Sequence, residues 1–289
     1  MRTNDLIKLR PRDYKSALKP IWCPGCGRFS VHNAIAKAAA ARGLGKDDSV
    51  LVSGTGCSSR LPAYIDSYGF HGVPGRGLAV AQGLTVARPE LTVIALGGDG
   101  DGFFIGGNHC IHACRRNVDI TYIAMDNEVY GMTKGQASST SPTDWDHSKL
   151  TPHGPGVRPF KPAAMALAAG APFIARGYSG NSKQIAKLLA DAIAFPGLSL
   201  LHILSQCITD CPKQTDWKSV VHECETAPAS NARDAAGLFL DDDGFQTALL
   251  YRDQRPTWPP PAGDVEDAKI VFNDLGAAFA VLRGGSNEQ

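Results

Sequence analysis

Segments with strand-like and helix-like patterns alternate along this sequence up to about Cys207. Short apolar runs such as LTVIAL at 91–96 are separated by stretches of helical composition, such as SVHNAIAKAAAARG, which begins at an N-cap serine, Ser30, and stops at Gly43. Strands that alternate with helices predict a parallel sheet covered on both faces. We therefore predict an α/β fold with a doubly wound parallel sheet.

The pattern gives approximate bounds for these elements. The expected strands are 49–54, 91–96, 118–126, 172–177 and 198–204, and the expected helices are 30–43, 76–87, 107–116, 162–170 and 182–194. After Cys207 the periodicity weakens, and turn-rich segments such as DDDGF and RPTWPPP follow. We expect residues 1–206 to form the α/β domain and residues 207–289 to be a less regular C-terminal extension.

Charge and hydropathy exclude several classes of protein. Lys and Arg number 29 against 28 Asp and Glu, so the net charge of +1 gives no footprint for nucleic acid and no polybasic membrane arm. The N-terminus lacks the apolar core of a secretory signal, and no run approaches the roughly 18 to 20 apolar residues of a membrane span. We expect a cytoplasmic protein. Its eight cysteines then favour metal binding or core packing over disulfides.

A glycine-rich loop, GGDGDG at 97–102, follows the second expected strand. Its glycines would let the backbone approach a phosphate, and the next helix N-terminus favours negative charge. Asp99 adds a hard oxygen ligand for a cation. The loop also suits an ordinary turn. It matches neither a Walker A loop nor a Rossmann fingerprint, whose acidic residue lies roughly 20 residues further on.

A second polar cluster, DNEVYG, follows the third expected strand. Asn127 supplies another oxygen, and a turn through Gly131 would present the carbonyl of Val129. Ligands in such sheets bind at the carboxyl ends of the strands. An aspartate, an asparagine, a carbonyl and diphosphate oxygens make the octahedral oxygen shell that Mg²⁺ prefers. The sequence therefore predicts a magnesium-bound diphosphate, with Asp99, Asn127 and Val129 as the protein ligands of the metal.

Cysteines at three places in the sequence add a second kind of site. Cys23 and Cys26 bracket a Pro-Gly turn in WCPGCG that would aim both sulfurs at one point. Alone, this pair suits zinc, an iron–sulfur cluster, a redox dithiol or no ligand. Cys57 follows the first expected strand, and Cys207 follows the last. Four thiolates serve a [4Fe–4S] cluster or a structural zinc equally well.

Five stretches carry a family resemblance, and they occur in the order WCPGCG, GTGCSSR, HGVPGRG, GGDGDG and MDNEVYGMTKGQ. Together they are very similar to the β subunit of 2-oxoacid:ferredoxin oxidoreductases, above all of the two-subunit 2-oxoglutarate enzymes. The resemblance extends from about Trp22 to Pro212. It implies the thiamine diphosphate-binding type of α/β fold, with thiamine diphosphate held through Mg²⁺ and a [4Fe–4S] cluster near it.

In that family four cysteines hold the cluster, and they map onto Cys23, Cys26, Cys57 and Cys207. Cys211 is the alternative fourth ligand. The family follows its cysteine with Thr and then an aromatic–Asn pair, whereas here Thr209 is followed by Asp210 and Cys211. We prefer Cys207, because it directly ends the strand.

Other histidines and cysteines are expected to pack rather than bind a metal. His109, Cys110, His112 and Cys114 have helical spacing in HCIHAC, which favours core packing. Cys224 has no partner motif.

The expected contacts of thiamine diphosphate and its metal come from loops at the strand ends: Gly56, Cys57, Ser58, Gly98, Asp99, Gly100, Asp101, Asn127, Val129, Gly131 and Met132. Arg60 and His71 are the expected catalytic residues. A guanidinium at Arg60 would form a forked pair with a substrate carboxylate, and His71 would serve the diphosphate or the aminopyrimidine. The structural alternatives are a surface ion pair for Arg60 and a hydrogen-bonded core residue for His71.

The resemblance also implies an activity and partners. Such enzymes decarboxylate a 2-oxoacid on thiamine, pass single electrons through the cluster to ferredoxin and give the acyl group to coenzyme A, reversibly. The expected reaction is 2-oxoglutarate to succinyl-CoA and CO₂. A larger α subunit would supply the pyrimidine-binding domain and its glutamate, in a dimer of αβ heterodimers. The alternatives are a pyruvate-specific β subunit and a non-catalytic, zinc-stabilised nucleotide-binding module.

Overall fold

An eight-stranded sheet forms the centre of the structure, a computed structural model that describes residues 9–145 and 149–258. The strands of these residues are, in chain order, β1 (Ser49–Ser53), β2 (Tyr68–His71), β3 (Thr92–Gly98), β4 (Thr121–Asp126), β5 (Val129–Tyr130), β6 (Gln136–Ala137), β7 (Phe173–Tyr178), β8 (Ser199–Leu204), β9 (His222–Glu223) and β10 (Gln246–Arg252). In the large sheet the order is β2-β1-β3-β4-β8-β7-β10-β9, while β5 and β6 form a separate ribbon.

The central strands are parallel and enclosed. Neighbours from β2 to β7 all pair in parallel, and β10 adds an antiparallel strand beside β7. β1, β4, β7 and β8 are buried along their whole length, as expected for strands covered on both faces. The carboxyl ends of β1, β3 and β4 therefore meet at one edge of the sheet.

Helices cover both faces of this sheet. They are α1 (Arg28–Arg42), α2 (Gly77–Ala87), α3 (Gly107–Arg116), α4 (Pro162–Ala168), α5 (Ser182–Ile193), α6 (Trp217–Val220) and α7 (Ala232–Leu240). One core layer packs α2, α3, α4 and α7 against the sheet, and the opposite layer packs α1 and α5. Successive residues of β1 enter opposite layers, Val50 one and Leu51 the other. The predicted doubly wound α/β fold is confirmed.

Several details differ from the prediction. The helix α1 begins at Arg28 with Gly27 as its N-cap, so the predicted N-cap at Ser30 is wrong. The reason is that the cysteine turn already supplies the first turn, in which the Ser30 amide donates to the Gly27 carbonyl. The strand predicted at 118–126 begins only at Thr121.

Two strands escaped the sequence pattern. Every residue of β2 is exposed, so it has no apolar alternation to detect. β10 brings part of the segment after Cys207 into the large sheet. The division at residue 206 stays a prediction, and 259–289 lie outside the described residues. No helix of the described residues is long and apolar enough to cross a membrane.

Asn117 joins three parts of this fold. It ends α3 in the left-handed conformation, with φ of 54°, and it is fully buried. Its side-chain N–H groups donate to the carbonyls of Arg255 and Pro256, both at 3.0 Å, and its oxygen accepts the Leu198 amide at 2.9 Å. One side chain thus ties the end of α3, the start of β8 and the segment after β10.

Replacing Asn117 should separate the contribution of its side-chain hydrogen bonds from that of its left-handed backbone conformation. Asn117→Gly removes the hydrogen bonds but tolerates the backbone angle, and we expect it to lower the free energy of unfolding by about 2 to 3 kcal/mol. Asn117→Ala should cost about 1 kcal/mol more, because alanine resists a positive φ. Urea unfolding of both variants measures the difference. Equal losses would contradict the backbone argument, and a negligible loss in Asn117→Gly would contradict the hydrogen-bond argument.

Candidate functional site

A cavity of about 210 Å³ opens at the carboxyl ends of β1, β3 and β4. Its wall includes residues that the sequence did not single out: Arg28, Thr55, Pro74, Ile105, Tyr130 and Thr133. All of the expected cofactor contacts also line it: Gly56, Cys57, Ser58, Gly98, Asp99, Gly100, Asp101, Asn127, Val129, Gly131 and Met132. The topology therefore brings three separate loops to one concave surface.

Three oxygen atoms converge at the floor of this cavity. The side-chain oxygen of Asn127 lies 3.1 Å from the Val129 carbonyl oxygen and 3.1 Å from Oδ1 of Asp99. Rotating the amide would place an N–H donor there instead. The oxygen orientation is the one that a cation requires, because adjacent ligands of octahedral Mg²⁺ lie about 2.9 Å apart. All three residues are buried, at 2 to 3% exposure. The donors therefore fit a magnesium ion.

Negative charge is concentrated around these oxygens. Burial, with the nearby Asp126 carboxylate, raises the pKa of Asp99 to about 7. Burial, with the nearby carboxylates of Asp126 and Asp99, raises the pKa of Glu128 to about 8. Buried carboxylates at this spacing repel one another unless a positive charge lies between or beside them. A divalent cation at the three oxygens would supply that charge and keep Asp99 ionised.

Two residues that shape this floor were not predicted. Glu128 has a positive φ of 55°, and this left-handed turn follows Asn127 directly and precedes Val129, so that both face the same point. Oγ1 of Thr140 lies 2.7 Å from Asp126 and 3.2 Å from Asp99. Thr140 comes from a polar loop whose sequence has no periodicity, so no local signal marks it.

Within the glycine loop, two positions are explained by packing. At Gly102 a Cβ atom would collide with the hydroxyl of Tyr122, and at Gly100 it would collide with the ring of Tyr130. Asp101 likewise serves the backbone, since its Oδ1 accepts the amides of Thr55 at 3.0 Å and Gly75 at 2.7 Å. Its carboxylate therefore holds neighbouring loops in place while its side chain lines the cavity.

Three of the four predicted cluster cysteines act on one buried cation, Arg28. A guanidinium nitrogen lies 3.5 Å from Sγ of Cys26. Burial alone would lower the pKa of Arg28, but the charges of Cys26, Cys57 and Cys207 raise it above its ordinary value. Cys23 acts on Cys57 in turn. Three distant parts of the sequence thus bring their sulfurs to the same region.

Backbone and ring contacts hold the cysteine segments together. The Trp22 indole N–H donates to the Cys57 carbonyl at 2.7 Å, and the Gly27 amide donates to the Gln206 carbonyl at 3.1 Å. Gly25 has a φ of 78°, and a Cβ atom there would collide with Ile208. The Pro-Gly turn is therefore packed directly against the segment that carries Cys207.

The remaining cysteines lie elsewhere. Cys211 is buried against Trp145 and lines a different cavity, and burial raises the pKa of its thiol to about 12. Cys110 and Cys114 are buried in a core layer, and Cys224 bonds with Thr226. In the described ranges, no three His, Cys, Asp or Glu side chains form a ligand group for a single metal ion.

Neither predicted catalytic residue lines the cavity. Arg60 lies in a short 3₁₀ helix (Ser58–Ala63), where its charge lowers the pKa of Cys57 against the larger effect of burial. His71 ends the exposed strand β2. Its Nδ1 lies 2.7 Å from the Ser59 carbonyl, so this nitrogen carries the proton. The catalytic roles of Arg60 and His71 stay predictions.

A larger cavity, of about 400 Å³, lies on the other side of Asp126. A buried chain of polar groups borders it. Arg176 donates from Nε to Nδ1 of His202 at 3.2 Å, so the proton of the neutral imidazole lies on Nε2 and is donated to Asp126 at 2.8 Å. Arg176 also grips both carboxylate oxygens of Asp242, at 3.0 and 2.5 Å. This chain of hydrogen bonds connects Asp126, beside the oxygen floor of the first cavity, to Asp242 in the segment between α7 and β10.

We expect Asp242→Asn to lower the free energy of unfolding by about 2 to 3 kcal/mol, because it leaves Arg176 buried without a counter-charge. Burial alone would raise the pKa of Asp242, but the hydrogen bonds and charge of Arg176 lower it below 3.8. The carboxylate therefore stabilises the fold above that pH, and the effect fades only as the pH falls below it.

Urea unfolding at pH 7 and at lower pH tests this prediction. The exposed neighbour Asp243 provides the matched control, and Asp243→Asn should change the stability by less than about 0.5 kcal/mol. An equal effect of the two substitutions would contradict the assignment.

Similarity to known proteins extends over most of this chain. Residues 54–203 match the family model of the C-terminal TPP-binding domain of thiamine pyrophosphate enzymes. The 2-oxoglutarate synthase subunit KorB of Methanothermobacter thermautotrophicus is 38% identical over 269 residues, which span 93% of both proteins. The 2-oxoglutarate oxidoreductase subunit KorB of Mycobacterium tuberculosis is 42% identical over 196 residues, but the match spans 52% of that protein, about half its length.

A solved structure shows the same architecture. The 2-oxoglutarate:ferredoxin oxidoreductase from Magnetococcus marinus, with 2-oxoglutarate, coenzyme A and succinyl-CoA bound, superposes with a TM-score of 0.83 at 39% identity, over 88% of each chain. At these levels of identity and coverage the predicted resemblance is confirmed. The chain belongs to the β-subunit family of 2-oxoacid:ferredoxin oxidoreductases and contains their thiamine pyrophosphate-binding domain.

Proposed function

We propose that this chain is the β subunit of a thiamine diphosphate-dependent 2-oxoglutarate:ferredoxin oxidoreductase, which converts 2-oxoglutarate and coenzyme A to succinyl-CoA and CO₂. The observation that carries the proposal is the position of two ligand sets at one cavity. Three oxygens fit a magnesium ion at its floor, Cys57 lines its wall, and Cys26 and Cys207 lie close enough to Arg28 in that wall to act on its charge. Relatives named for 2-oxoglutarate favour this substrate over pyruvate.

Asp99, Asn127 and the Val129 carbonyl would hold Mg²⁺ and, through it, the diphosphate of thiamine. Thr140 positions Asp99 from behind, and the left-handed turn at Glu128 presents the Val129 carbonyl. Thiamine diphosphate supplies an electron sink for decarboxylation of a 2-oxoacid. The protein would bind and orient that cofactor, and Ile105 and Met132 would lie beside it on the open side.

Cys23, Cys26, Cys57 and Cys207 would hold a [4Fe–4S] cluster. Cys57 lines the proposed cofactor cavity, and this supports a cluster next to the thiamine site. Zinc fits the same thiolates but carries no electrons, and oxidative decarboxylation requires the removal of two electrons. Cys207 acts on Arg28 together with Cys26 and Cys57, whereas Cys211 lines the other cavity, and this favours Cys207 as the fourth ligand.

Exposed apolar residues at the rim of the cavity are evidence for a partner subunit. Phe104, Ile105 and Met132 are 70, 45 and 44% exposed, and the last two line the cavity. An α subunit over this rim would cover the cofactor and supply the pyrimidine-binding domain with its glutamate, in a dimer of αβ heterodimers, and ferredoxin would accept the electrons. No disulfide bond joins any two of the eight cysteines, all of which lie in the described residues, and this suits the reducing cytoplasm.

The function is tested by turnover of the co-purified αβ complex. With coenzyme A and a ferredoxin or viologen acceptor, we expect 2-oxoglutarate to reduce the acceptor at least about tenfold faster than pyruvate does, which is about 1.4 kcal/mol of transition-state discrimination. The reverse preference would identify a pyruvate enzyme. No reduction with either acid would contradict the oxidoreductase assignment.

The metal site is tested by Asp99→Asn, which keeps the shape of the side chain and removes its charge. We expect affinity for thiamine diphosphate in the presence of Mg²⁺ to fall by about 100-fold or more, because a metal ligand is lost. Calorimetric titration of the complex measures it. Asp191→Asn, on the exposed side of α5, should bind like wild type. Undiminished binding by Asp99→Asn would refute the magnesium assignment. The iron content of Asp99→Asn should equal that of the wild type.

A further inference from the structure

Arg28 is a buried cation without a carboxylate partner among the residues that the structure describes. It is 4% exposed, and its Nε has no hydrogen-bond acceptor. Within the described ranges its side chain makes one hydrogen bond, the 3.5 Å contact to Sγ of Cys26. An isolated buried charge is costly, so a negative group must lie against it. The nearest candidates are the sulfurs of the cluster cysteines.

The position of Arg28 in the chain gives no other reason for its charge. It is the first residue of α1, where the helix dipole disfavours a cation. The same side chain lines the thiamine cavity, and its charge lowers the pKa of Asp99 against the larger effects of burial and Asp126. The guanidinium therefore lies between the cysteines and the cofactor floor.

We propose that Arg28 raises the reduction potential of the [4Fe–4S] cluster by holding a positive charge and hydrogen-bond donors against its cysteine sulfurs. This inference rests on the proposed function. It makes Arg28 a positioning residue for electron transfer, since it acts through the cluster. No other arginine or lysine lines the cavity between the two cofactor sites in the described part of the chain.

The sign follows from charge. A cluster with four thiolate ligands is an anion, and each electron that it accepts adds one negative charge. A buried cation at a fixed position stabilises the reduced form more than the oxidised form, and hydrogen bonds to sulfur act in the same direction. Removing the charge must therefore make the cluster harder to reduce. The effect is strong here because burial limits screening by solvent and salt.

The test is a redox titration of the anaerobically purified full chain in its αβ complex, with dithionite as the reductant. Each cluster takes one electron in going from [4Fe–4S]²⁺ to [4Fe–4S]⁺, which electron paramagnetic resonance detects. We expect Arg28→Gln to reduce the ratio of reduced to oxidised cluster at a fixed potential by at least tenfold, which equals about 59 mV for one electron. Arg28→Lys keeps the charge and should recover at least half of this shift.

The matched control is Arg42→Gln, the same substitution at the exposed far end of α1, which should leave the midpoint unchanged. A normal midpoint in Arg28→Gln with full iron content would overturn the proposal, and so would a midpoint in Arg28→Lys as low as in Arg28→Gln. If Arg28→Gln loses the cluster, Arg28→Met fills the same space without charge and should show the fall. Loss of the cluster from both neutral variants would overturn the proposal in favour of a role in assembly.

Failure of the proposed function gives a different result. Wild-type protein without iron, or without broad absorption near about 400 nm that bleaches with dithionite, contradicts the cluster itself before any variant is made. A wild-type cluster with an unshifted Arg28→Gln midpoint contradicts only the role of Arg28.

Discussion

The structure depends on a set of buried oxygens, among which the carboxylates of Asp99 and Glu128 need a nearby positive charge to stay ionised at neutral pH. Asp99, Asn127 and Val129 present three acceptors to one another, and Asp126 and Glu128 add two more carboxylates nearby. The parallel sheet produces this concentration, because β3 and β4 are neighbours and end at the same edge. The same edge is where a magnesium diphosphate would bring both the cation and its ligands. The order of the strands therefore determines both the fold and the negative charge at the proposed cofactor site.

A chain of hydrogen bonds stabilises the Asp126 carboxylate on the side away from the cavity. His202 donates to Asp126, Arg176 donates to His202, and the charge of Arg176 is balanced by Asp242. Arg176 and His202 are directly paired in the register of β7 and β8, so the sheet itself fixes their contact. Since Asp242 comes from the segment after Cys207, that segment completes the electrostatics of the core as well as extending the sheet.

Much of this arrangement was predictable from the sequence, and the exceptions have a common cause. The strands with Asp99 and Asn127 at their ends are apolar runs, and a parallel sheet forces such ends together. Arg28 and Thr140 act through contacts between distant segments, which no local pattern records. β2 was missed because its residues are exposed on the sheet edge, and β10 because it lies in a turn-rich segment. Local periodicity reveals elements that bury one face. β2 buries neither face, and β10 is only partly buried along its length.

The cysteines also give the proposed electron path a direction. Cys57 lines the cofactor cavity, Cys207 is buried, and Cys23 is exposed to solvent. A cluster held by these residues would extend from the thiamine site to the protein surface. Electrons would enter on the side of Cys57 and leave on the side of Cys23, where a soluble acceptor can approach. The buried cation Arg28 also lines this cavity, so its charge would act on the side where electrons enter such a cluster.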